Sequence, residues 1–430
     1  MSLTASFVRA RPFLRRSAKC VELRRAVLAA SLLLSASMLV GCGGGGGYAG
    51  YAGNGSGGSG GGLQALDEAA LKSTVESLAK DLQLPGAVAI VKTPRGSFST
   101  AHGVTSYKGT TPTAYDQKIR VGSVTKSWVG TVILQQAQEG KLALTDPVSK
   151  HRPGVPNGDS ITVEALLTMR SRLFNYTELL VLDQTLDNEP LKVWTQQELL
   201  ALAFAQPSYP EGFHYSNTNS VLLGLIAQKL DGGKPLADIL RDRLWTPLGL
   251  RDTSFPPITS NAIPPPYSRG YMYGTNVQTR EPLPPEMVAA ARAGTLAPGD
   301  QTDTNPSWAW AAGAGISTAN DLVTIITAMV EGRLLGPAMQ AGRLASVRPV
   351  DPADPASAGY GWHLAKFGEL YGHTGELPGY NTFAGHDPQR DITVVVWANS
   401  APAADGRAPA TTIAAALIGA IYSPSRGSAR

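Results

Sequence analysis

Strand-like sequence lies at the two ends of the folding part of this chain and helical sequence fills the middle, an order that few architectures accommodate. Ala87–Lys92 and Gly96–Val104 read as two short strands joined by a Pro-Arg-Gly turn. Leu370–His373, Tyr380–Gly385 and Ile392–Ala398 read as three more, and the run Thr393-Val394-Val395-Val396-Trp397 suits a strand buried on both faces. Between them the pattern is mostly helical, with helices expected near 124–139, 162–169, 195–205, 219–230, 235–244 and 318–330, and a proline-rich loop over 256–285. Leu71, Val75, Leu78 and Leu82 mark one face of a helix ahead of the first strand, and 408–422 reads as an apolar helix after the last. Isolated hairpins are marginal in water, so the end strands must pair with each other. The expectation is an α/β protein: one antiparallel sheet built from residues 63–109 and 312–422, flanked by helices, with a helical insert over 110–311 and a frayed tail at 423–430.

The first 62 residues follow other rules. Residues 1–41 carry seven Arg and Lys against one acid, and an apolar run over 26–40 leads to Leu39-Val40-Gly41-Cys42. The run is shorter than the roughly 20 residues a membrane-spanning helix needs, and the segment resembles a bacterial lipoprotein signal cut before Cys42, whose thiol then carries lipid. An exported protein anchored to the bacterial envelope by Cys42, facing the periplasm, is expected. Residues 43–62 are nearly all Gly, with a reach of roughly 25 Å as a flexible tether. The whole chain is +4, but the leader accounts for that excess, and no nucleic-acid partner is expected. Cys20 and Cys42 are the only cysteines, so a mature chain has no internal disulfide and depends on an apolar core, for which 43% hydrophobic residues suffice.

Three short motifs carry chemistry. Gly122-Ser123-Val124-Thr125-Lys126 opens a predicted helix, and residues three apart share a helix face, which sets the Lys126 amine beside the Ser123 hydroxyl. The helix N-terminus favours an oxyanion and disfavours a protonated lysine, so a neutral Lys126 can take the serine proton. The pattern also occurs at Ser77-x-x-Lys80, mid-helix and off the apolar stripe, and Ser123 alone could equally be a capping serine. Tyr215-Ser216-Asn217 offers a phenol to relay a proton and an amide to hold both the lysine and a substrate carbonyl, or else a simple helix-entry turn. His373-Thr374-Gly375 ends a predicted strand, where a glycine lets substrate backbone lie along the edge and the Glu376 N–H can join that of Ser123 as an oxyanion hole. A lone histidine before such a turn is more often structural than catalytic.

In this order the motifs resemble the three signatures of the penicillin-recognising serine enzymes, Ser-x-x-Lys, Tyr-x-Asn and (Lys/His)-(Thr/Ser)-Gly. The resemblance covers 63–422, with Gly140-Lys141-Leu142, Asp146-Pro147-Val148, Pro247-Leu248-Gly249-Leu250 and Ser317-Thr318-Ala319-Asn320-Asp321-Leu322 as flanking features. It implies the β-lactamase/D,D-peptidase fold. The motifs are most similar to secreted D-alanyl-D-alanine carboxypeptidases of peptidase family S12, since class C β-lactamases usually carry Lys where His373 stands. The resemblance makes Ser123 the nucleophile, Lys126 the base and Tyr215 the proton relay. It places Asn217, His373, Thr374, Gly375, Glu376 and Trp308 around a cell-wall peptide or β-lactam, with Thr374 on its carboxylate. A β-lactamase, an esterase, a D-amino-acid amidase and a non-catalytic penicillin-binding lipoprotein are the alternatives. No cofactor or metal is expected, and the chain is expected to act as a monomer. Two departures bear on substrate: Met169-Arg170-Ser171-Arg172-Leu173 replaces a family His-x-Ser-Gly-Leu stretch and is expected to alter that loop and put a charge near the cleft, and Glu376 would repel a carboxylate unless Lys366 or Arg172 compensates.

Overall fold

The computed structural model describes residues 66–354 and 357–422; the leader, Cys42, the tether and the 423–430 tail lie outside the described residues. Helix α1 (Glu68–Asp81) starts where the Asp67 side chain accepts the Ala70 N–H at 3.0 Å, and it buries Leu71, Val75 and Ala79. Strands β1 (Gly86–Thr93) and β2 (Gly96–Gly103) follow as a hairpin. Helix α2 (Val124–Gln138) carries the first motif, α3 (Asn217–Leu230) follows the second, and α4 (Ala319–Val330) precedes the remaining strands. These are β3 (Arg348–Pro349), β4 (Gly359–Tyr360), β5 (Ala365–Phe367), β6 (Leu370–Leu377), β7 (Tyr380–Asp387) and β8 (Ile392–Ala398), before the closing helix α5 (Pro409–Tyr422).

All eight strands form one antiparallel sheet in the order β2-β1-β8-β7-β6-β5-β4-β3. The two ends of the chain meet where β1 pairs with β8, Ala87 opposite Ala398 and Lys92 opposite Thr393. Both faces of β1 and β8 are covered, and the pleat divides their side chains between two cores. Ala87, Ala89, Val91, Val394 and Val396 face α1 and α5, while Val88, Ile90, Val395 and Trp397 face α2, α4 and the helical insert. Helix α2 therefore runs through the middle of the molecule and is buried almost all round, which is why Trp128, Val129, Val132, Ile133 and Leu134 occupy more than one face. It ends at Gly140, whose φ of +71° suits glycine.

Several elements differ from the sequence reading. Strand β6 does not stop at His373 but runs to Leu377, because the Pro378-Gly379 turn, not the motif, closes the hairpin with β7. Helix α3 begins at Asn217, two residues earlier than expected, and α4 is capped by the Thr318 side chain accepting from Asp321 N. The expected 235–244 helix is an α-helix only over Leu236–Leu240 and then widens into a π-turn at Arg241–Trp245. The proline-rich loop hides a short strand, Tyr271–Met272, paired with Gly299–Asp300. Helices Leu180–Asn188, Pro285–Arg292 and Pro337–Ala345 were not expected, being eight or nine residues long with too few turns to show a period. Among the described residues no helix is long and apolar enough to cross a membrane.

Candidate active site

The nucleophile loop is held by backbone fit. Gly122 has φ +55°, and a Cβ there would lie 2.5 Å from Glu376 N; a Cβ on Gly375 would lie 1.9 Å from Val121 O and 3.1 Å from Ser123 N. The glycine of His373-Thr374-Gly375 is therefore required by the approach of β6 to the start of α2, not by substrate lying on the strand as the sequence suggested. Thr125 fastens the same loop, donating to Gly122 O at 2.8 Å and accepting from Gly315 N at 3.0 Å.

Ser123 stands at the N-cap position of α2, partly open to a cleft of about 310 Å³. Lys126 Nζ lies 2.8 Å from Ser123 Oγ and donates to Ala312 O at 2.7 Å. Lys126 is completely buried, and burial holds its amine well below the usual lysine range. The Tyr215 ring centre is 4.9 Å from Nζ, and the buried imidazoles of His363 and His373 are close enough to feel the Lys126 charge. Burial also raises the Tyr215 phenol far above its usual value, an effect the Ser123 hydroxyl partly offsets. One deprotonatable amine and one phenol that keeps its proton thus flank one hydroxyl, which can lose a proton to the first while the second supplies one to a leaving group.

The free edge of β6 completes the arrangement. Leu377 and Tyr380 close a two-residue turn as a hydrogen-bonded pair, so the alternation of an antiparallel ladder leaves Glu376, opposite Asn381, with its N–H turned away from β7. Strand β5 pairs only with residues 370–372, so that edge is uncovered and looks across at Gly122 and Ser123. The backbone nitrogens of Ser123 and Glu376 both lie at this close approach of β6 and the start of α2, which is where an oxyanion hole would form.

The other expected site residues are distributed as follows. Thr374, Glu376, Asn217 and Trp308 line the cleft, and the Trp308 carbonyl accepts the buried Tyr176 hydroxyl at 2.7 Å. Asn217 does not hold the lysine: its amide donates to Thr177 Oγ1 at 3.0 Å, because its backbone N–H is already anchored on Asn175 Oδ1. His373 also lines the cleft but is only 2% exposed, with Nε2 3.2 Å from the Tyr360 hydroxyl and Nδ1 2.5 Å from Thr374 O. Burial, then the proximity of Lys126, pushes its imidazole down to about 3. Glu376 is exposed to the cleft, and the protein around that recess pushes its carboxyl up to about 7, while Asn381, donating to Oε2 at 3.0 Å, pulls it back.

Arg172 adopts φ +66°, the left-handed conformation a glycine would take, and its exposed guanidinium donates to Tyr209 O at 2.8 Å, so the charge expected near the cleft lies outside its lining. Lys366 sits over the Tyr371 ring at 5.2 Å, also outside. Neither compensates Glu376. The decoy pair Ser77 and Lys80 is exposed on α1.

Three buried residues escaped the sequence reading. His363 Nδ1 contacts Lys126 O at 3.0 Å, and its Cβ packs so closely on α2 that a Cβ on Gly130 would come within 2.4 Å. Tyr360 backs both His373 and Tyr215 with ring centres 5.7 and 6.1 Å apart. Arg343 donates to Thr131 Oγ1 at 2.8 Å from a fully buried position, which lowers its guanidinium to about 10. The cluster Gly359-Tyr360-Gly361-Trp362 was a usable signal, whereas a lone histidine and a lone arginine carry none.

An antiparallel sheet with α-helices on both faces, and a helix-borne serine and lysine facing an edge of one strand, is the β-lactamase/D,D-peptidase fold. The chain belongs to the Beta-lactamase family, whose model matches residues 71–418. It is similar to PbpX of Bacillus subtilis (strain 168), a protein named for penicillin binding, at 24% identity over 65% of this chain, and it spans 61% of that relative's length. The esterase EstB of Burkholderia gladioli is 26% identical over 72% of this chain and 88% of its own. A D-stereospecific amidohydrolase from Streptomyces sp. superposes with a TM-score of 0.68 at 29% identity, covering 83% of this chain and 99% of that one. These neighbours include hydrolases of amides and esters.

Proposed function

We propose that this chain is a serine hydrolase working through an acyl-enzyme, and that its acyl donor is an amide or ester without a carboxylate beside the scissile bond. The observation that carries the first part is the buried Lys126 amine 2.8 Å from Ser123 Oγ, with no acidic partner to keep it charged. In the forward step Ser123 Oγ bonds to the substrate carbonyl carbon as its proton passes to Lys126, and the carbonyl oxygen takes the charge between the Ser123 and Glu376 N–H groups. Collapse breaks the bond to the leaving group, which takes a proton from Tyr215, itself resupplied from Lys126. Water then repeats the sequence on the ester.

The second part rests on charge. Among the described residues no Lys or Arg side chain lines the cleft, whereas Glu376 stands within it and Asp183, at its far wall, pairs with Arg280. Above about pH 7, where the Glu376 carboxyl is charged, a substrate carboxylate would meet it with no cation to balance it, while an amino group there would find an acceptor. The amide- and ester-cleaving neighbours are consistent with that preference. A D-alanyl-D-alanine carboxypeptidase acting on cell-wall peptides is the second reading, favoured by the open edge of β6 and the Thr374 side chain facing the cleft.

Rates on D-phenylalanine amide, p-nitrophenyl acetate and a peptide ending in D-Ala-D-Ala separate the two. The proposal expects the amide or ester to exceed the peptide in kcat/KM, and Glu376→Gln to narrow the gap by helping the peptide. A wild-type preference for the peptide would establish the second reading. Export and lipid attachment at Cys42 belong to the same proposal and rest on the leader sequence; labelled palmitate entering the wild type but not Cys42→Ala is the expected result, and equal labelling of both would reject it.

A further inference from the structure

Outside the cleft lining, the end of β7, the turn that follows it and the C-terminal end of α4 bring together His386, Asp391 and Glu331. One ligating atom from each lies within 4.8 Å of the other two. His386 is fully buried, and its Nδ1 is 2.9 Å from Thr393 Oγ1, which in turn is 3.1 Å from Thr327 Oγ1. Its Nε2 is buried without a hydrogen-bond partner and points toward Glu331 Oε1 at 3.8 Å. A buried ring nitrogen left unpaired is costly, and here it opens toward two carboxylates.

The surroundings favour an imidazole that accepts. Thr393 can take the Nδ1 proton and so leave the Nε2 lone pair facing outward, the arrangement typical of a metal-bound histidine. Arg333 Nε occupies Glu331 Oε2 at 2.8 Å and leaves Oε1 turned to the ring. Asp387 is engaged elsewhere, accepting from Gln389 N and from the Tyr422 hydroxyl.

We propose that His386, Glu331 and Asp391 form a binding site for a divalent transition-metal cation of the zinc type, completed by water. One imidazole with two carboxylates suits zinc, whereas calcium and magnesium prefer oxygen alone. Bonds of about 2.0–2.1 Å in a tetrahedron put ligand atoms roughly 3.3 Å apart, so the His386–Glu331 spacing is nearly met. The exposed Asp391 side chain makes the remaining adjustment. The ion would tie the β7–β8 turn to α4, which packs on the sheet side that faces the catalytic helix.

The test uses the full chain, stripped with a chelator and titrated with zinc chloride by calorimetry and thermal melting. Binding of one zinc with a Tm rise of about 3 °C or more is expected, because only the folded state holds the three ligands together. Asp391→Asn, a substitution at an exposed turn, and His386→Gln should each weaken binding at least tenfold, and magnesium should give no response. No heat and no Tm shift with excess zinc would overturn the proposal. So would zinc binding that is unchanged in Asp391→Asn and in Glu331→Gln.

Discussion

Replacing Lys126 by methionine should stabilise the fold while removing the chemistry, and the pH dependence of that gain is set by the structure. Lys126 is completely buried and its amine is held well below its usual pKa by desolvation. The unfolded chain keeps a lysine near 10.4, so between the folded pKa and about 10.4 the unfolded state binds one more proton than the native state. Wild-type stability then rises with pH by about 1.4 kcal/mol per unit, and that contribution is absent from Lys126→Met. The advantage of the variant should therefore shrink by about 1.4 kcal/mol for each pH unit between the folded pKa and about 10, and level off below the folded pKa. Loss of the bond to Ala312 O, about 0.5–1.5 kcal/mol, lowers the whole curve without changing its slope. Urea unfolding of both proteins at three pH values reads this directly. A difference that does not change with pH would mean that Lys126 is charged in the native state, and the argument for a lysine base would fail. For the same reason catalysis by the wild type should persist well below pH 10 and decline on the acid side as Lys126 gains a proton.

Tyr215→Phe should lower kcat by about 10²–10⁴ with little change in Tm, since the ring packing on Tyr360 is retained and only the proton relay is lost; unchanged kcat on an amide would assign the relay elsewhere. Gly375→Ala should cost about 1–3 kcal/mol in unfolding free energy and also reduce acylation, because its Cβ would drive β6 away from Val121 and Ser123. Full activity in that variant would show that β6 does not position the nucleophile loop.

The parts of the fold that could be read in advance are those whose periodicity has one cause. Strands β1 and β8 are β-branched and apolar because both faces are covered, and α1 has a clean stripe because one face meets water. Where a residue's surroundings come from distant segments, the sequence was silent. Arg343 looks like any surface arginine until α2 is packed against it, and the short helix Leu180–Asn188 reveals its role only when Leu182 and Leu186 meet the cleft. The site was legible as three motifs because the residues of each stand at fixed local spacing. Their mutual fit was not, since the close approach of Gly122 and Gly375 is a property of two backbones some 250 residues apart. Arg172 illustrates the opposite error: a charge expected near the cleft points away from it, on a residue in the left-handed conformation.

The central claim, that Ser123 is a nucleophile activated by a neutral Lys126, is tested most directly by intact-mass measurement after exposure to an uncharged fluorophosphonate, in which serine oxygen displaces fluoride from phosphorus. One adduct is expected on the wild type, mapped to the peptide containing Ser123, with none on Ser123→Ala and a rate reduced at least a hundredfold on Lys126→Met. An adduct that forms equally on Ser123→Ala, or at an unchanged rate on Lys126→Met, would contradict it.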